Sequence, residues 1–133
     1  MKKVMISTFG CQMNEHDSEK IAWIMEGMGY GTTLDKEEAD VIIFNTCAVR
    51  KSAEDRVFGQ LGELKELKRR KPETVLALCG CMMQREDIRS YFLKKHRHID
   101  IVFGTNNIHK LPQLLTRHLE SGKLVVDIVE DTR

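Results

Sequence analysis

The side chains best suited to chemistry in this sequence are four cysteines, Cys11, Cys47, Cys79 and Cys81. A thiol that ionises becomes a nucleophile or a ligand for zinc or an iron–sulfur cluster. None of the four stands in a CxxC pair. Cys79 and Cys81 are separated by Gly80 alone, whereas Cys11, Cys47 and Cys81 lie 36 and 34 positions apart, so only a folded chain can group them.

Register against the apolar runs selects three of the four. Val4–Ser7, Val41–Phe44, Val75–Leu78 and Ile99–Phe103 are short apolar segments, each followed by glycine or small polar residues, as expected of strands buried on both faces. Counted from the leading valine, Cys11 follows Val4 by seven residues, Cys47 follows Val41 by six and Cys81 follows Val75 by six. Three thiols thus leave three strands at nearly one level. Cys79 stands level with Asn45, two residues earlier, where a side chain packs or points into the core. Glycine precedes Cys11 and Cys81, as where the backbone turns sharply or approaches a ligand closely, while Thr46 precedes Cys47.

Helical spacing fills the gaps between runs. Ile21, Ile24, Met25 and Met28 form one apolar stripe; Val57, Leu61, Leu64 and Leu67 a second; Ile88, Tyr91 and Phe92 begin a third; Ile108, Leu111, Leu115 and Leu119 a fourth. Asn14, with Glu15 and Asp17 in the next turn, reads as the cap of the first helix, and Ser52 with Asp55 as a capping box for the second. Pro72 closes the second helix after the cations Lys68 to Lys71, and Ser121-Gly122 closes the fourth. Gly31 to Leu34 reads as a short edge strand and Lys123 to Val129 as a final one. Alternation of strand and helix predicts a three-layer α/β fold: an open, mostly parallel sheet of about five strands with helices on both faces, flavodoxin-like or Rossmann-like, in the order 2-1-3-4-5. Strands 1, 3 and 4 are then neighbours, and their cysteines meet in the crevice beyond the strand carboxyl ends, where ligands bind in such sheets.

Each residue also has an ordinary reading. Free cysteine is among the most buried residue types, so core packing is the default for any one of the four. Three at equivalent strand ends favour a shared site. Zinc would want a fourth ligand, and His16, near Cys11, is a candidate, although a solvated helix histidine is the simpler reading. A thiol enzyme with Cys11 as nucleophile lacks a placed base, and a metal-free α/β binding module remains the rival of another class. Three thiolates holding a four-iron cluster would leave one iron open to a small molecule or external sulfur.

The 133 residues suit one domain; 41% are hydrophobic, 31% charged, and the formal net charge is +1. Neither nucleic-acid nor membrane binding follows from that balance. No run approaches the roughly 18 apolar residues of a membrane span, and Val4 to Ile6 is too short for a signal-peptide core, so a cytoplasmic location with reduced thiols is expected. Arg50-Lys51, Lys68 to Lys71 and Lys94 to His98 read as solvated helix ends, with phosphate contact as the sharper alternative. Phe9, Trp23 and Tyr91 do not interleave with them and read as core or interface residues. Met82 and Met83 read as packing, or as shielding for a cluster.

Three ordered motifs, "TFGCQMNEHDSE" (Thr8 to Glu19), "NTCAVR" (Asn45 to Arg50) and "CGCMMQ" (Cys79 to Gln84), resemble the N-terminal domain of radical-SAM methylthiotransferases, and the likeness extends through "FGTNNIHKLPQLL" (Phe103 to Leu115). "GCQMN" with "CGCM" is most similar to the branch that methylthiolates N6-isopentenyladenosine beside the tRNA anticodon. The resemblance implies that Cys11, Cys47 and Cys81 ligate an auxiliary 4Fe-4S cluster that handles the incoming sulfur, with Met83 standing where relatives often have alanine. It further implies a second 4Fe-4S cluster, S-adenosylmethionine, a radical-SAM domain, an RNA-binding domain and a tRNA substrate in the full enzyme. No CxxxCxxC occurs in these residues, so the chain is not expected to catalyse methylthiolation alone. Residues 1–122 are expected to form the cluster-binding domain, and 123–133 a final strand and the start of a linker, with the polar tail Glu130 to Arg133 as a cut end.

Overall fold

The computed structural model describes residues 2–10, 12–47 and 51–128, with the side chains of Met13, Lys51, Ser52 and Ala53 outside that description. Strands β1 (Lys2–Thr8), β2 (Tyr30–Thr32), β3 (Val41–Thr46), β4 (Val75–Gly80), β5 (Ile101–Phe103) and β6 (Val125–Asp127) form one sheet in the order β2-β1-β3-β4-β5-β6. Every neighbouring pair is parallel. The expected order is borne out and extended, since the segment read as a final strand adds a sixth member beside β5. Every residue of β3 and β4 is buried, as the unbroken apolar runs require of central strands covered on both faces.

The helices are α1 (Gln12–Gly27), α2 (Lys51–Arg70), the single turn α3 (Cys81–Gln84), α4 (Glu86–Lys95) and α5 (Leu111–Ser121), with a 3-10 segment at Thr105–Lys110. Successive strand side chains point to opposite faces, so the sheet separates two cores. Val41, Ile43, Val75 and Ala77 pack with Ile21 and Met25 of α1 and Leu111, Leu114 and Leu115 of α5. Ile42, Phe44, Leu76 and Leu78 pack with Val57, Leu61, Leu64 and Leu67 of α2 and Ile88 and Phe92 of α4. The second helix ends at Arg70, one turn after its last apolar residue, with Lys68, Arg69 and Arg70 at its carbonyl end. Gly122 terminates α5 in the left-handed conformation (φ 68°), its N–H bonded to the carbonyl of His118.

Some side chains depart from the sequence reading. On α5 the buried stripe runs through Leu114 and His118, and Leu119 is exposed; the 3-10 turns before Leu111 reset the helical phase. Tyr91 is half exposed and stacks on Phe58, 5.7 Å between ring centroids. Trp23, on the outer side of α1, is 76% exposed, while Phe9 is buried against Phe44 with the Arg56 guanidinium over its ring. The Ser52 half of the expected capping box lies outside the described side chains.

Candidate functional site at the carboxyl ends of the central strands

The ladder matches Val4 to Val41 and Val41 to Val75, the same valines from which the cysteines count. It runs on through Thr8 opposite Asn45 opposite Cys79, and Thr46 opposite Gly80. Cys47 leaves the end of β3, and Cys81 opens α3 after β4. Cys47 is buried and Cys81 is half-buried. Cys11 lies outside the described residues, between the described Gly10 and Gln12.

Two glycines bring these strand ends together. Gly10 has φ 136°, and a β-carbon there would overlap Cys47 Cβ, lie 3.1 Å from Cys47 Sγ and 2.6 Å from Asn14 Oδ1. The residue before Cys11 therefore rests directly on Cys47. Gly80 has φ 102° and ψ −178°, a region essentially closed to other residues. A β-carbon there would overlap the Thr46 carbonyl oxygen and lie 2.6 Å from Thr46 N and 2.9 Å from Asn45 Oδ1. The residue before Cys81 thus rests on the residue before Cys47.

Beneath this mouth lies a set of buried hydrogen bonds. Asn14 Nδ2 donates to the Thr46 carbonyl at 2.8 Å and to Asn45 Oδ1 at 3.3 Å. Asn45 Nδ2 donates to the Asn14 carbonyl at 2.6 Å and to Ser18 Oγ at 3.0 Å, and Ser18 Oγ lies 2.7 Å from Thr8 Oγ1. Thr46 Oγ1 donates to the Cys79 carbonyl at 2.6 Å. The expected capping role of Asn14 is thus corrected: α1 begins at Gln12, so Asn14 sits inside its first turn and its amide reaches across to β3. In α1, the sequence pattern offered no sign of that crossing. In β3 it did, because Asn45 is a polar residue in a strand buried on both faces and needs internal partners.

Cys79 is 1% exposed and belongs to the core shared with α1 and α5. Burial pushes its thiol far above the ordinary range, with the charges of Asp17 and Cys81 adding to the shift, so the neutral thiol is favoured there. His16 is a solvated helix residue 3.9 Å from Glu19. Among the described residues no three His, Cys, Asp or Glu side chains form a metal-binding group. Gln84, at the end of α3, seats its amide against Gly104 just beyond β5, where a β-carbon would overlap it. Met82 and Met83 are fully buried in the core under α2 and α4.

Fold and strand-end geometry define a doubly wound, all-parallel α/β domain with cysteines at the carboxyl mouth of its central strands. The chain belongs to the uncharacterized protein family UPF0004, whose pattern matches residues 3–104. It is 52% identical over 127 residues to a tRNA-2-methylthio-N(6)-dimethylallyladenosine synthase of Clostridioides difficile, covering 96% of this chain and 27% of that protein. Similarly named proteins of Finegoldia magna and Alkaliphilus oremlandii are 58% and 47% identical over 92% and 98% of the chain, and over 27% and 28% of their own lengths. The resemblance to the methylthiotransferase N-terminal domain is thereby borne out, and the chain spans about a quarter of the length of these relatives. Among the described residues, no helix is long and apolar enough to cross a membrane.

Proposed function

We propose that this chain is the sulfur-handling, auxiliary 4Fe-4S-binding domain of a cytoplasmic tRNA methylthiotransferase acting on N6-isopentenyladenosine, with Cys11, Cys47 and Cys81 as the cluster ligands. The observation that carries the reading is the packing of the residues before these cysteines. Gly10 lies on Cys47 and Gly80 on Thr46, so both close approaches converge on the end of β3. The names of the relatives support the substrate. The donor set suits iron, since thiolates are the usual protein ligands of such clusters. A four-iron cluster held by three thiolates supplies an iron position open to external sulfur.

The chain's own residues do the rest. Cys47 and Cys81 hold thiol sulfur at the sheet mouth, and Gly10 and Gly80 keep β-carbons out of the space against β3. Cys79, 1% exposed among the core side chains shared with α1 and α5, fills the space below and is left out of the ligand set. In the full enzyme, residues 1–122 form this domain and 123–133 lead to a radical-SAM domain with its own 4Fe-4S cluster and S-adenosylmethionine, and to an RNA-binding domain that holds the tRNA. The domain by itself does not catalyse methylthiolation.

The test is anaerobic reconstitution of the chain followed by iron and sulfide analysis. Cys11→Ala, Cys47→Ala and Cys81→Ala are each expected to lose cluster iron, while Cys79→Ala keeps it. Retention in Cys81→Ala with loss in Cys79→Ala would overturn the ligand assignment. A colourless, iron-free wild type whose fold is indifferent to all three substitutions would instead point to the metal-free α/β binding module.

A further inference from the structure

Beneath the mouth, two asparagines link the residues that precede all three cysteines. Asn14 sets its Oδ1 against Gly10, before Cys11, and donates its Nδ2 to the carbonyl of Thr46, before Cys47. Asn45 sets its Oδ1 against Gly80, before Cys81. The two amides are hydrogen-bonded to each other, and each is at most 2% exposed. Buried amides at this density serve a purpose other than apolar packing, which leucine would serve without desolvating four polar atoms.

We propose that Asn14 and Asn45 form a positioning pair that fixes the mutual separation of Gly10, Thr46 and Gly80, the residues that precede Cys11, Cys47 and Cys81, so that the backbone leading into the three cysteines is preset for a group that needs three sulfurs. Resting on the three-cysteine reading above, this assigns to the pair the preorganisation of that site. The planar amides are suited to the task. Asn14 spans Gly10 and Thr46, Asn45 spans Asn14 and Gly80, and Ser18 with Thr8 fixes the far side of Asn45. Shortening either side chain removes a spacer from a place where glycine already gives the backbone freedom to move.

The experiment uses the reduced, metal-free chain and arsenite, because trivalent arsenic bonds three thiolates and reports their spacing without an iron–sulfur cluster. Wild type, Asn14→Ala, Asn45→Ala and, as a control with weakened packing at the opposite end of the strands, Asp100→Asn are titrated with arsenite. Their folds are checked by circular dichroism, and the arsenic sulfur count is read by X-ray absorption. The asparagine variants are expected to bind arsenite about 10- to 100-fold more weakly, the range for loss of residues that orient metal ligands. Their bound arsenic should show two sulfurs rather than three, while Asp100→Asn behaves as wild type. Asparagine variants that bind arsenite like wild type while wild type also loads iron would overturn the positioning role and leave the ligand assignment intact. A wild type that takes neither arsenite nor iron would overturn the three-cysteine reading, and this inference with it. Failure of both asparagine variants to fold, where Asp100→Asn folds, would also overturn it, since the pair would then be a folding element.

Discussion

Gly80→Ala offers a quantitative check on the strand-end geometry. With φ 102° and ψ −178°, this position lies where any residue with a β-carbon carries about 1–3 kcal/mol of backbone strain. The new methyl group would overlap the Thr46 carbonyl oxygen and sit 2.6 Å from Thr46 N, and neither is the end of a flexible side chain. Relief requires β3 and β4 to part, and overpacking of that kind adds about 1–3 kcal/mol. The summed cost is about 2–6 kcal/mol, and its midpoint corresponds to a fall of roughly 12–20 °C in Tm for a chain of this size. Gly62→Ala is the matched comparison. It lies on the exposed side of α2 with nothing within 4 Å of the added carbon, so it should raise stability by about 0.5–1 kcal/mol. Thermal and urea denaturation of the two variants beside wild type make the measurement. A Gly80→Ala chain as stable as wild type would refute the close approach of β4 to Thr46, and with it the juxtaposition of the residues that precede Cys47 and Cys81.

At the amino ends of the strands, Asp100 pairs with Lys68, lies 3.7 Å from His118 Nε2 and accepts the Leu76 N–H at 2.9 Å; Asp100→Asn should cost about 2–4 kcal/mol in urea unfolding. Burial lowers the pKa of His96, helped by His98 and Lys65, and burial likewise lowers that of His98, where Lys68 and Lys65 add to it and the Leu61 carbonyl and Asp100 oppose it. As pH falls below about 6.5 the unfolded chain takes up these protons first, so stability present above that pH is lost beneath it; His96→Leu should narrow the difference between urea midpoints measured on either side. The single tryptophan, Trp23, is 76% exposed, so its fluorescence should resemble free tryptophan in water, be readily quenched by acrylamide and change little on unfolding.

Much of this fold was legible because its central strands are unusually plain. Val41–Phe44 and Val75–Leu78 are unbroken apolar runs, which a strand covered on both faces requires, and counting from their first valines reproduces the ladder of the sheet. The packed state of Cys79 followed from the same count. The side-chain network was less legible, since Asn14 has the residue type and place of a cap, and only the start of α1 at Gln12 turns it inward. The phase of α5 was missed for a local reason: a stripe counted from Ile108 assumes one continuous α-helix, whereas that residue lies in 3-10 turns with a different period.

The parallel ladder also has an entropic consequence for the thiols. Cys11 to Cys47 and Cys47 to Cys81 enclose loops of 36 and 34 positions, and closing each loop in a disordered chain would cost about 3 kcal/mol from the length-dependent part of loop closure alone. Burial of the valine, isoleucine and leucine side chains of β1, β3 and β4 already offsets that cost when the sheet forms. The conformational search that sets Cys47 beside the end of β4 and Cys81 just beyond it is therefore completed by apolar residues three to six positions earlier in the same strands, before anything reaches the mouth.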